Sequence, residues 1–237
     1  MTIGLASKEF KNNDITFNLN QILQTMKQAK DQGCDLVCFG EAFLQGFDAY
    51  VWDYETDKLV ALDGTSEVIQ LISYWSYDIG IDVAFGYLEK AGEVLYSSYL
   101  VMEYGEIIHN YRRISRGWKE YRLTDEHYQE GNTVETFFYQ DKRFVVALCG
   151  DLWDQPEAFI KDQAITLWPV YVDYSLEDWV REKLPYAQKT KQLPGDVLLI
   201  NSINRPTGMG GAYHYLQGEI IQELPPGNDG ILIVHLD

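Results

Sequence analysis

The sequence has few cysteines, and they form no pattern that binds a metal. Its 237 residues include three, Cys34, Cys38 and Cys149. There is no C-x-x-C pair, and no cysteine–histidine cluster has the spacing of a zinc site. These features indicate a reduced, cytoplasmic protein, for which we expect neither a metal nor a cofactor.

Long apolar runs and an excess of positive charge are also lacking. No apolar run approaches the roughly 20 residues of a membrane helix, and the first ten residues do not resemble a signal peptide. Acidic residues number 36 and basic residues 19, for a net charge of −17. Because this charge repels phosphate backbones and anionic lipids, we expect a soluble protein that binds neither nucleic acid nor membranes.

The composition and the hydrophobic pattern predict one globular domain over residues 1–237. The chain is 46% hydrophobic and 23% charged, and no segment resembles a linker. Apolar residues recur at helical spacing over 18–30, and short apolar runs at 35–39 and 165–169 are typical of buried strands. Strands that alternate with helices early and form hairpins late predict an α/β layered sandwich.

Two reactive side chains directly follow predicted strands, where α/β proteins build their sites. Glu41 follows the apolar run 36–39; taken alone, a surface position is the more common one for glutamate. Cys149 ends the predicted strand 143–149, where a cysteine most often packs in the core. Gly150, however, leaves the adjacent backbone N–H open to a substrate, so that it could serve as an oxyanion donor.

A basic segment at 111–120, Tyr-Arg-Arg-Ile-Ser-Arg-Gly-Trp-Lys-Glu, follows another predicted strand. One interpretation is a solvated loop whose cations balance neighbouring carboxylates. The other is that one cation enters a cleft, where it would lower the pKa of a thiol and stabilise a tetrahedral oxyanion. A thiol with the usual pKa of about 8.5 is mostly protonated at pH 7, so a cysteine nucleophile needs a base and a cation nearby.

The order of these three segments resembles the nitrilase superfamily of carbon–nitrogen hydrolases. The resemblance runs nearly from end to end, over 18–41, 85–113, the Cys-Gly-Asp-Leu-Trp-Asp-Gln-Pro-Glu segment at 149–157, and Asn201 with the glycines at 210, 211 and 218. It implies a four-layer α-β-β-α sandwich. It also implies that Glu41 is the general base, that Cys149 forms a thioester, and that a lysine and the Gly150 N–H hold the oxyanion.

The chain departs from the family at the lysine position, which is Arg113 here. Arginine has a fixed charge and cannot donate a proton to a leaving amine, whereas Lys119 could do both. The segment around Lys119 is similar to one in a divergent branch of the family. We therefore predict Lys119 as the site cation, with Arg113 as the alternative. Glu126 is the best match to the family's second carboxylate, followed by Glu120.

The resemblance favours a small-molecule amide as substrate, and an amidase over a nitrilase. Trp153, close after the nucleophile, is the leading candidate for a pocket-lining aromatic residue, with Gly150 and Arg113 also contacting substrate. Members of the family commonly pair through a helical face, which implies a homodimer or a larger homo-oligomer.

Two other functions remain open. A thiol hydrolase of the cysteine–histidine type would use one of four histidines, His109, His127, His214 or His235. A catalytically silent protein that keeps the fold and binds a ligand or partner is the other, and the Arg113 departure gives it some weight. The intact Glu41 and Cys149 argue against it.

Overall fold

The computed structural model describes residues 1–236, which form two mixed β-sheets and the helices that cover them. In chain order the strands are β1 (Thr2–Ser7), β2 (Leu36–Cys38), β3 (Asp82–Ala91), β4 (Val94–Glu103), β5 (Glu106–Arg112), β6 (Thr136–Tyr139), β7 (Lys142–Val146), β8 (Ile165–Val170), β9 (Asp196–Asn204), β10 (Gly208–Leu216), β11 (Glu219–Leu224) and β12 (Gly230–His235). The first sheet has the order β12-β1-β2-β3-β4-β5, and the second has the order β11-β10-β9-β8-β7-β6.

The helices begin and end at recognisable signals. They are α1 (Ile15–Asp31), α2 (Tyr54–Asp57), α3 (Glu67–Ile79), α4 (Asp151–Asp154) and α5 (Leu176–Lys189), with 3₁₀ turns at Pro156–Phe159 and Thr190–Gln192. Helix α1 starts three residues before its predicted start because the Asp14 side chain accepts a hydrogen bond from Phe17 N–H and caps it. Ser175 and Asp178 form a capping box at the start of α5.

Strand alternation divides the apolar residues between two interfaces. In β2, Leu36 and Cys38 face the second sheet, whereas Val37 packs with residues of α1 and α3 such as Ile22 and Ile69. On the other side, Trp179 of α5 packs within 5.5 Å of the Tyr213 ring on β10. The layers are therefore helix, sheet, sheet, helix, and the four-layer α-β-β-α prediction is confirmed.

Parallel pairing brings the ends of several strands to one edge of the sandwich. Strands β1, β2 and β3 are parallel in the first sheet, as are β7, β8 and β9 in the second. The two sets of carboxyl ends meet where the Glu41 N–H donates to Val170 O at 3.4 Å. The fold thus gathers the residues that follow β2, β7 and β8 in one place. Over residues 1–236, no helix has the length and apolar character required to cross a membrane.

Candidate active site

Cys149 lies in a strained turn that follows β7. Its φ of 40° is in the left-handed region that non-glycine residues rarely adopt. Two hydrogen bonds from β8 hold this backbone, because Cys149 N–H donates to Pro169 O (3.0 Å) and Trp168 Nε1 donates to Cys149 O (2.9 Å). The predicted strand 143–149 therefore ends at Val146, and the turn presents the partly buried thiol 3.7 Å from Tyr171 O.

Glu41 is fully buried beside this turn, so the surface position that is common for glutamate does not apply. Its Oε1 accepts hydrogen bonds from Arg113 Nη1 (2.9 Å) and Ser97 Oγ (3.1 Å). Its Oε2 is buried and has no hydrogen-bond partner among residues 1–236. One carboxylate oxygen is thus fixed by two donors, and the other can receive a proton.

Gly86 allows the Glu41 loop to cross β3. A Cβ atom at Gly86 would lie 2.3 Å from Ala42 N and 2.6 Å from Gly40 O, closer than van der Waals contact permits. The Gly86 N–H instead donates to Gly40 O at 3.1 Å. Backbone contact between the loop and the strand therefore fixes the position of the carboxylate.

Arg113 directly follows β5 and is buried against Glu41. Its guanidinium also donates from Nε to Ser115 Oγ and from Nη2 to Arg116 O, each at 2.9 Å. A Cβ atom at Gly150 would lie 2.5 Å from Arg113 Nη2. The missing side chain of Gly150, which the sequence suggested would admit a substrate, makes room for this guanidinium.

The charges around Cys149 act on its thiol in opposite directions. Burial, and after it the charge of Glu41, raises the pKa of Cys149 to about 12, although the Arg113 cation and the Tyr171 carbonyl act against this. Burial alone would lower the pKa of Arg113, but the negative charges around it, that of Glu41 first, and its hydrogen bond to Glu41 together outweigh burial, and the pKa is raised. The resting site therefore contains a neutral thiol beside an ion pair.

Asp151 joins the Arg113 segment to the Cys149 turn. This buried carboxylate accepts hydrogen bonds from Ile114 N–H (3.2 Å), Ser115 N–H (2.8 Å), Leu148 N–H (2.8 Å) and Tyr111 Oη (2.7 Å). Burial raises its pKa, and the hydrogen bonds from Tyr111 and Ser115 and the Arg113 charge act in the opposite direction. No role for Asp151 was predicted from the sequence, although an acidic residue two positions after the candidate cysteine is a signal for one.

Asp151→Asn is expected to lower the free energy of unfolding by about 2–4 kcal/mol, because an amide nitrogen replaces one acceptor of these buried N–H groups. Loss of the link between the Arg113 and Cys149 segments should also lower kcat/KM at least tenfold. Urea unfolding and steady-state kinetics measure the two effects. Asp154→Asn is the matched control, since Asp154 is exposed on the same short helix. Equal stability of the two variants would contradict the role of Asp151.

A cleft of about 300 Å³ opens onto Cys149 and Arg113. Aromatic side chains form part of its wall, and two carboxylates also line it: Phe47, Tyr171, Tyr174, Asp48 and Asp173. Its volume is at the small end of the range for ligand pockets. A small molecule could therefore reach the thiol.

Lys119, the predicted site cation, does not contact Glu41. Its Nζ donates to the carbonyl of Tyr128 and pairs with Glu130 Oε2 at 3.2 Å. The adjacent Trp118 is buried in a separate apolar cluster with Tyr128, which directs Lys119 toward the 128–130 loop. The alternative cation, Arg113, occupies the position beside Glu41 and Cys149.

Glu126 and Trp153 also lie away from the cleft. Glu126 is exposed, and its backbone carbonyl accepts a hydrogen bond from Gln129. Trp153 is 40% exposed and packs on Trp168 and Tyr186 at the α5 side of the second sheet. Trp153 follows Cys149 closely in sequence, but α4 carries its ring toward the helical layer.

The four histidines have partners elsewhere in the described chain. His127 pairs with Asp125, His214 with Asp196 and His235 with Thr2, and His109 stacks on Phe137. None of these contacts involves Cys149, which counts against a cysteine–histidine mechanism. Over residues 1–236, no group of three or more His, Cys, Asp or Glu side chains is arranged to hold a metal ion.

The sequence is similar to a known protein family and to characterised enzymes. The sequence model described as "Carbon-nitrogen hydrolase" matches residues 2–161. An arylacetone-specific nitrilase of Alcaligenes faecalis is 30% identical over 116 residues, covering 44% of this chain and 32% of the nitrilase. A glutamine-dependent NAD(+) synthetase of Thermotoga maritima is 26% identical over 146 residues, covering 61% of this chain and 24% of the synthetase. The chain thus spans at most about a third of either relative.

Solved structures share the fold at low sequence identity. A variant of the amidase from Nesterenkonia sp. AN1, with acrylamide added to its active-site cysteine, superposes with a TM-score of 0.81 at 17% identity. The match covers 100% of this chain and 93% of the amidase. A glutamine-dependent NAD+ synthetase from Acinetobacter baumannii gives a TM-score of 0.80 at 20% identity, covering 98% of this chain and 44% of the synthetase.

Proposed function

Because this chain belongs to the carbon–nitrogen hydrolase family, we propose that it hydrolyses small amides through a thioester on Cys149. The observation that carries the proposal is the buried Glu41–Arg113 pair beside the thiol in a cleft open to small molecules. A base, a cation and a nucleophile in contact are the groups that covalent amide hydrolysis requires.

In the first half of the proposed reaction, Glu41 takes the thiol proton as Sγ attacks the amide carbon. The electrons of the C=O double bond move to oxygen, and the Arg113 guanidinium and the Gly150 N–H stabilise the resulting oxyanion. When the C=O bond re-forms, the C–N bond breaks and Glu41 gives its proton to nitrogen. Ammonia or an amine leaves, and the acyl group remains on Cys149 as a thioester.

In the second half, water attacks the thioester. Glu41 takes a proton from the water as its oxygen adds to the carbonyl carbon, and the same donors stabilise the second oxyanion. Re-formation of the C=O bond breaks the C–S bond. The proton held by Glu41 returns to Sγ and the carboxylic acid leaves, so that the enzyme is restored.

Because position 113 is an arginine, Glu41 carries out every proton transfer in the proposed reaction. The guanidinium stays protonated throughout, so it contributes charge and hydrogen bonds but no proton for the leaving group. A thiol with a pKa of about 12 also requires that deprotonation accompany attack. The free Oε2 of Glu41 is suited to receive that proton.

A substrate panel read by ammonia release tests the proposal. The panel contains simple aliphatic amides, glutamine, carbamoyl compounds and nitriles. We expect turnover of at least one amide by the wild-type chain and none by Cys149→Ala. Turnover of nitriles alone would assign nitrilase chemistry to the same site. The absence of ammonia from every compound would favour a silent protein that binds a ligand or partner.

A further inference from the structure

We propose that the cleft selects small amides that carry a positively charged group at the end remote from the scissile bond. This inference rests on the proposed hydrolase function and names its substrate class. The structural feature behind it is a pair of carboxylates, Asp48 and Asp173, that line the same cleft as Cys149 and Arg113.

The two carboxylates come from loops that follow strands of different sheets. Asp48 lies in the loop that follows Glu41, and Asp173 lies between β8 and α5. Tyr171 lines the same cleft. Burial is the main cause of the raised pKa of its phenol, and the charges of both Asp48 and Asp173 raise it further. Both negative charges therefore act on the Tyr171 side chain in the cleft wall.

No basic side chain neutralises this pair in the described part of the chain. The Asp48 carboxylate accepts a hydrogen bond from the neutral Asn12 Nδ2 at 3.4 Å, and neither Asp48 nor Asp173 takes part in an ion pair. The cation inside the cleft, Arg113, is already paired with Glu41. The cleft therefore has two exposed negative charges that no basic side chain offsets, and an Arg113–Glu41 ion pair beside the thiol.

Aromatic rings beside these carboxylates add to the attraction for a cation. The Phe47 and Tyr171 ring centroids are 5.0 Å apart, and Tyr174 also lines the cleft. Carboxylates combined with ring faces are the groups that bind ammonium ions. The net charge of −17 also raises the local concentration of cations and opposes anionic substrates. A volume of about 300 Å³ suits a short aliphatic chain between the amide and the charged group.

Three amides of matched length distinguish the effect of substrate charge on kcat/KM from the effect of substrate size. The ω-aminopentanamide cation, neutral hexanamide and the glutaramate anion each carry a primary amide and differ at the far end. We expect kcat/KM to be on the order of tenfold higher for the cation than for hexanamide, and lowest for the anion. Added salt should reduce this ratio because both carboxylates are exposed to solvent.

The variants Asp48→Asn and Asp173→Asn test the two carboxylates directly. Each should lower the ratio of kcat/KM for the cation to that for hexanamide about threefold to fivefold, as for a partly screened ion pair, mainly through KM. Asp162→Asn removes the same charge from an exposed position after α4, and should leave the ratio as it is. A change in all three variants would mean a general effect of net charge and would overturn the inference.

The outcomes distinguish this inference from the function on which it rests. Equal hydrolysis of the cationic, neutral and anionic amides would overturn the cation preference and leave the amidase proposal standing. A preference for glutaramate would do the same. Hydrolysis of none of the three, together with no ammonia from the wider panel, would overturn both.

Discussion

Replacing Glu41 with glutamine is expected to lower kcat/KM for an amide substrate about 10⁴-fold, the upper range for the loss of a general base. The same change should lower the pKa of the Cys149 thiol from its value of about 12. Glutamine keeps an oxygen that can accept from Arg113 and Ser97, but it has no negative charge and cannot take a proton. The variant therefore distinguishes the role of Glu41 as a base from the effect of its charge on the pKa of the thiol.

Glu41→Gln should therefore increase the ionised fraction of the Cys149 thiol while it decreases the rate of hydrolysis. The Glu41 charge raises the pKa of Cys149, whereas the Arg113 charge lowers it. Once Glu41 is neutral, burial still raises this pKa but the Glu41 charge no longer does, so the pKa falls and the thiolate fraction at a given pH increases. An enzyme that depended on a pre-formed thiolate would become more active. One that transfers the proton during attack becomes inactive.

Thiolate absorbance in the far ultraviolet, followed against pH, measures the first effect, and ammonia release measures the second. Cys149→Ser provides the baseline for the absorbance of Cys34, Cys38 and the tyrosines. Thermal unfolding shows whether Glu41→Gln keeps its fold. A variant that retains more than a tenth of wild-type activity, or whose Cys149 pKa rises, would contradict the general-base role.

Replacing Arg113 with methionine is the second large effect that we expect. It leaves the buried Glu41 charge without its cationic partner, which should lower the free energy of unfolding by about 3–5 kcal/mol. The pKa of Cys149 should rise above its present value, because the cation that lowers it is gone. Loss of oxyanion stabilisation should reduce kcat about 10²-fold to 10³-fold.

Two further variants keep this prediction specific. Lys119→Met is the matched control, because Lys119 Nζ bonds to Tyr128 and Glu130 rather than to Glu41, and it should retain most of the activity. The double variant Glu41→Gln, Arg113→Met removes both charges of the pair and should recover much of the stability lost in Arg113→Met. Greater loss of activity in Lys119→Met than in Arg113→Met would return the role of site cation to Lys119.

The sequence was sufficient to predict the layers of the fold, and less reliable at their boundaries. Helical periodicity identified α1, a short apolar run identified β2, and the family resemblance implied the four layers. Strand β7 was extended too far, to Cys149, because apolar residues continue after the ladder ends. Hydrogen bonds from β8 to the Cys149 turn, together with its positive φ, are tertiary features that no local pattern contains.

In the site, too, local sequence patterns predicted some residues, and tertiary contacts determined the others. Their positions after buried strands made Glu41 and Cys149 candidates and the family resemblance implied their roles, whereas the choice between Arg113 and Lys119 depends on the path of a loop. Trp118, buried in its own cluster, turns Lys119 away from the sheet ends. Ser97 and Asp151 were missed because the partners that join them to the site lie far away in sequence. Glu41 is 56 residues from Ser97, and Ser115 and Ile114 are 36 and 37 residues from Asp151. Contacts of this kind become visible only when the sheets are assembled.

Peptide mapping of an acid-quenched single turnover tests the central claim most directly. The wild-type chain is mixed with an amide that the panel shows to be a substrate, quenched before release of the carboxylic acid is complete, and digested. We expect the peptide that contains Cys149 to gain the mass of the acyl group, and the peptides with Cys34 and Cys38 to remain unmodified. Ammonia release with Cys149 unmodified at every time point, or equal turnover by Cys149→Ser, would contradict the thioester mechanism.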